Sequence, residues 1–100
     1  MLPRSELEQI VLEAIRATNL ARQADAKLDV SPSALLYSPG SHLDSLGLVS
    51  LLIEVEEGLR DAGVEVTLSD ERAVSQKHSP FRDVPSLVAY IEQLLAERQA

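Results

Sequence analysis

The chain has no cysteine and no tryptophan, one phenylalanine and two tyrosines. It also has no apolar run approaching the ~20 residues that span a bilayer. Each absence closes off a class of function. Without cysteine there is neither a disulfide framework nor a thiolate nucleophile. His42 and His78, the only histidines, stand without a second ligand at metal-site spacing, so a metalloenzyme is not expected. With aromatics at 3%, the interior has to be filled by Leu, Val, Ile and Ala, a composition that suits packed helices. The opening MLPRSELEQI lacks the apolar run that follows the basic end of a secretory signal, and the expected location is the cytoplasm, with no membrane span. Basic residues are scarce too: 9 Lys and Arg against 16 Asp and Glu leave a net charge of −7. Nucleic acid, whose phosphates would be repelled, is therefore not an expected partner, whereas basic proteins are.

At 100 residues there is room for a single domain, 1–100, that hides roughly 60–70% of its unfolded surface. From Ser5, the residues Leu7, Ile10, Val11, Ala14 and Ile15 recur at helical spacing. Ser5 and Glu8 read as a capping box, and good helix formers carry the pattern as far as Ala24. Between Asp25 and Leu43 the period fails, and Pro32, Pro39 and Gly40 punctuate a long connection. Its Leu28, Val30, Leu35, Leu36 and Tyr37 predict a loop pinned onto the core, with a helical turn after Ser33. A second helix runs from Asp44 or Ser45 to Ala62, where Gly63 stops it. Val64, Val66 and Leu68 then alternate like a strand but have no partner strand, which predicts an extended, inward-anchored loop. A short helix is expected from Ser69 or Asp70 through Val74, Phe81 is expected to plug the core, and a last helix begins at Asp83. Pro85 is tolerated in that helix's first turn, and Leu87, Val88, Ile91, Leu94 and Leu95 form its buried stripe.

The second helix is apolar nearly all round. At 100° per residue Leu48, Leu51, Leu52, Val55, Leu59 and Ala62 share one stripe, while Leu46, Ser50, Ile53 and Glu57 lie opposite with Val49 at the margin. In so small a domain every helix has a wet face, so Leu46, Val49 and Ile53 are expected in solvent. Single exposed leucines need no explanation. Here, however, Asp44, Glu54, Glu56, Glu57, Asp61 and Glu65 border the face, with Arg60 the only nearby cation. An apolar centre with an acidic rim suits docking of a basic protein: rim charges speed encounter and apolar anchors supply affinity.

The segment LDSLGLVSLLIEVEE opens this helix. Its Asp44-Ser45-Leu46 triplet, followed by an apolar helix that turns glutamate-rich, resembles the attachment motif of acyl carrier proteins. Helix order, length and acidity agree with that family over nearly the whole chain. The resemblance implies an all-α, acyl-carrier-protein-like four-helix bundle of three longer helices and one short one, with a long first loop. It implies that Ser45 receives a covalent 4'-phosphopantetheine arm from a phosphopantetheinyl transferase through a phosphodiester. Asp44 would support that reaction and dock the basic partner, besides capping the helix. Leu46 would touch partners directly, with Val49, Ser50, Ile53, Glu54 and Glu57 completing the docking face. Such a protein catalyses nothing. It carries an acyl group as a thioester, as a monomer, between an acyl- or aminoacyl-loading ligase and the downstream acyltransferase or synthase enzymes of fatty-acid, polyketide or related specialised biosynthesis.

Gly47 and Ser50 stand where many fatty-acid carriers have acidic residues, and the run Asp-Ser-Leu-Gly followed by Val and two leucines looks somewhat like D-alanyl and other aminoacyl carriers. An aminoacyl cargo and an unmodified helical adaptor without any prosthetic group are the alternatives. A hydrolase triad of His42, Asp44 and Ser45 is discarded, because the three crowd one short loop and no Gly-x-Ser-x-Gly elbow is present.

Overall fold

Three helices organise the chain: α1 (Arg4–Asn19), α2 (Ser45–Asp61) and α3 (Val84–Gln99). The computed structural model describes residues 2–22, 27–37, 43, 45–68 and 81–99, and among these there is no strand. The short helix expected from Ser69 or Asp70 through Val74 lies outside the described residues, so what is observed is an all-helical fold of three helices. α1 packs against both α2 and α3. Leu7, Val11, Leu12 and Ile15 of α1, Leu48, Leu51, Leu52, Val55 and Leu59 of α2, and Val84, Leu87, Val88 and Ile91 of α3 make the centre of the core. Burial of such side chains contributes about 1.5–3 kcal/mol apiece.

The connections supply the rest of that core. Leu28, Ala34, Leu36, Leu43, Leu68 and Phe81 are all buried, and Phe81 meets the Tyr90 ring edge-on at 5.7 Å. Phe81 is thus the plug the sequence predicts. Leu35 is not an anchor: it is 55% exposed, and the helical turn expected after Ser33 is absent. Instead a turn closes from the Ala34 amide to the Ser31 carbonyl at 3.1 Å, with Pro32 inside it presetting the backbone. The chain then runs extended, antiparallel to the entry of α3. The Leu36 amide donates to the Arg82 carbonyl at 2.8 Å, Tyr37 to Phe81 at 2.9 Å and Val84 to Ala34 at 3.0 Å. That pairing turns Ala34 and Leu36 inward and Leu35 outward, as the two-residue period of extended chain requires.

Both ends of α1 differ from expectation. The capping residue is Pro3, extended at φ −68° and ψ 157°, whose carbonyl accepts from the Glu6 and Leu7 amides at 3.0 and 3.1 Å. Ser5 therefore lies inside the first turn and caps nothing. Arg4, the first helical residue, reaches Glu92 on α3 at 2.8 Å, which helps hold the earlier start. At the other end the helix stops at Asn19 although the residues that follow favour helix. The Asn19 side chain is buried and clamps both backbone groups of Leu28: Nδ2 donates to the carbonyl at 2.9 Å and Oδ1 accepts from the amide at 2.8 Å. Three tighter bonds, from Leu20 to Ala17, Ala21 to Thr18 and Arg22 to Asn19, finish the turn.

α2 and α3 follow their signals closely. Gly63 has φ 88°, its amide donates to Arg60 at 2.9 Å and the Val64 amide to Leu59 at 2.9 Å, the paired bonds of a Schellman stop. Ala62, expected in the buried stripe, is exposed because it sits in this turn. Residues 64–68 run extended, with Leu68 fully buried and Val64 and Val66 half-buried, the inward-anchored loop the alternation predicts. Asp83 caps α3 by accepting from the Ser86 amide at 2.8 Å, and Leu94 is the one member of the predicted α3 stripe that is only half-buried.

Candidate functional site

Leu43 is buried and fixes the approach to α2, and Ser45 is the first helical residue. Asp44 and His42 lie outside the described residues, as does the side chain of Ser45. The first turn of α2 carries no acidic side chain, so no charge within that turn offsets the positive end of the helix dipole. A phosphate ester on its first residue would meet a favourable field there.

Beyond Ser45 the helix divides. Leu48, Leu51, Leu52, Val55 and Leu59 are wholly buried. Leu46 is 80%, Ile53 46% and Val49 37% exposed, with Ser50 and Glu57 exposed beside them. The strip thus begins at the residue after Ser45 and continues along two turns of helix on the side away from the core. Glu54 and Asp61 flank it further along, at helical steps of three and four.

Not every carboxylate assigned to the rim belongs there. Glu56 accepts from the Leu68 amide at 2.8 Å, and so fastens the 64–68 segment to α2. Glu65 and Arg60 line a separate open groove of about 620 Å³ with Glu56, Val66 and Leu94. This larger depression adjoins the C-terminal half of α2. At 1.5 Å per residue, Glu56 and Arg60 stand roughly 16–22 Å along the helix from Ser45, so it is no part of the Ser45 end.

A second open groove, of about 350 Å³, lies between α1 and α2 and is lined by Gln9, Ile10, Glu13, Ala14, Glu54, Glu57, Gly58 and Asp61. It brings two predicted docking residues, Glu54 and Glu57, against α1, a neighbour that sequence reasoning missed. One signal was present. Glycine inside an otherwise strong helix costs about 1 kcal/mol relative to alanine and marks a close approach. Gly58 is such a residue, since a Cβ there would come 2.9 Å from Ile10 Cγ2.

Among the described residues no group of three His, Cys, Asp or Glu could hold a metal ion, and no helix is long and apolar enough to cross a membrane. No family model matches the chain, and no curated protein or solved structure matches it either, so the functional reading stands on the residues themselves.

Proposed function

We propose that the chain is a non-catalytic carrier protein bearing a covalent 4'-phosphopantetheine arm on Ser45 and docking basic partner enzymes on the outer face of α2. The observation that carries this reading is the exposed strip of Leu46, Val49 and Ile53, which starts beside the serine of the Asp44-Ser45-Leu46 triplet. No one exposed residue argues for this, but Leu46, Val49 and Ile53 together form a continuous apolar strip with acidic residues beside it, the arrangement of a docking surface. Leu46, Val49 and Ile53 supply apolar anchors, Ser50 keeps the middle of the face flat, and Glu54 and Glu57 attract basic side chains.

The residues at the head of α2 fit the arm. Ser45 offers a hydroxyl on the first helical residue, and the acid-free first turn directs amides and dipole toward an ester phosphate. An unactivated serine does not attach the group itself, so a phosphopantetheinyl transferase must provide the base and metal. When attached, the arm supplies a thiol that holds an acyl or aminoacyl group as a thioester. Tethering keeps that cargo at high local concentration near each docked enzyme, among them the loading ligase and the acyltransferase or synthase that follows. Gly47 and Ser50 leave the start of the docking face less acidic than in many fatty-acid carriers, which favours specialised partners over those of general fatty-acid synthesis.

Co-expression with a broad-specificity phosphopantetheinyl transferase, followed by intact-mass measurement, tests the proposal. The expected result is the mass gain of a single arm, lost completely in Ser45→Ala. An unchanged mass with every competent transferase would sink it and leave an unmodified helical adaptor, which the same exposed strip would serve.

A further inference from the structure

We propose that the groove between α1 and α2 receives a long cationic side chain, arginine or lysine, from a basic amphipathic helix of the protein that docks on α2. The inference rests on the docking surface assigned above and extends it to α1.

The floor of the groove is apolar, formed by Ile10 and Ala14 of α1 and by Gly58 of α2. Its walls are acidic: Glu13 stands on one side, and Glu54, Glu57 and Asp61 on the other. None of the lining residues is basic, and Arg16 lies next to it as the ion-pair partner of Glu13. An apolar floor under carboxylate walls matches a side chain with a hydrocarbon stem and a charged head. An anion would be repelled, and a purely apolar side chain would strip water from the carboxylates without replacing it. Gly58 maintains the shape, because a Cβ at that position would come 2.9 Å from Ile10 Cγ2, and the Ile10 side chain or the helix would have to shift.

Continuity with the exposed strip decides the occupant. Glu57 lies one helical turn beyond Ile53, and Glu54 adjoins it, so a helix seated on Leu46, Val49 and Ile53 arrives at the groove without leaving the surface of α2. Its basic residues then lie over Glu54, Glu57 and Asp61, within reach of Glu13 and Gln9 on α1.

Amide chemical-shift mapping of the intact chain with a synthetic helical peptide of leucine and arginine provides the test. The expected outcome is concerted perturbation of Ile10 and Glu13 on α1 with Ile53, Glu54, Glu57 and Asp61 on α2. The double variant Glu57→Gln/Asp61→Asn should weaken binding about tenfold and flatten its salt dependence. The control Glu65→Gln/Glu97→Gln, at two carboxylates that both line the other groove, should change it by less than about twofold. Perturbation confined to α2, or equal weakening by both doubles, would overturn the proposal, the latter because it would mean attraction by diffuse charge. Circular dichroism of each variant verifies the fold. Intact mass of the same samples keeps the two readings apart: a loaded Ser45 with a silent α1 rejects the groove alone, and an occupied groove without loading rejects the carrier alone.

Discussion

Along α2, Leu48, Leu51, Leu52, Val55 and Leu59 lie wholly inside the core, whereas Leu46, Val49 and Ile53, drawn from the same residue types, stand in solvent on the other side. Composition does not distinguish the two sets. Position on the 3.6-residue period does, since only the first set turns into the core that α2 shares with α1 and α3. The buried set is explained by folding. The exposed set is not, and this difference between faces, rather than apolarity as such, makes the outer strip a candidate for docking.

Substitutions that treat the two faces alike in chemistry should separate them in outcome. Leu52→Ala should cost about 3 kcal/mol, as a transfer loss plus an unfilled cavity, and lower the chemical-denaturation midpoint accordingly. A loss below about 1 kcal/mol would mean that the inner face is packed more loosely than its burial implies. Gly58→Ala probes the border between the faces. Better helix propensity is outweighed by the forced contact with Ile10, so a net loss of about 1 kcal/mol is expected, turning into a gain when Ile10→Ala clears the space. Ile53→Glu on the outer face should change stability by no more than about 0.5 kcal/mol and leave the helical circular dichroism intact. It should nevertheless impair loading of Ser45 by a transferase. Unfolding by this last variant would erase the distinction between the faces altogether.

Much of this architecture is legible in the sequence, and where it is not the reasons are physical. The span of α2, its stop at Gly63, the facing of its two stripes and the plug at Phe81 all follow from local patterns. The capping of α3 by Asp83 does too. The end of α1 does not. Helix propensity runs past Asn19, but the side chain of that residue is committed to Leu28, nine positions along, and a tertiary bond of this kind leaves no periodic trace. The outward turn of Leu35 and the inward bond of Glu56 leave no local trace for the same reason: their partners, Asp83 and Leu68, are distant in sequence. Within the candidate site, the strip of Leu46, Val49 and Ile53 could be read from the helical period. The contribution of α1 through Ile10 and Glu13 could not, because it depends on how two helices meet. Gly58 alone hinted at it.

The backbone bonds that join residues 34–37 to residues 81–84 carry a consequence for how the molecule opens. They fasten the first long connection to the doorstep of α3, although 44 positions separate Tyr37 from its partner Phe81, a loop whose closure entropy is already spent once the core forms. Fraying of α3 from its first turn therefore breaks the bonds that hold residues 34–37, and amide exchange should find the two segments opening as one cooperative unit rather than as independent loops.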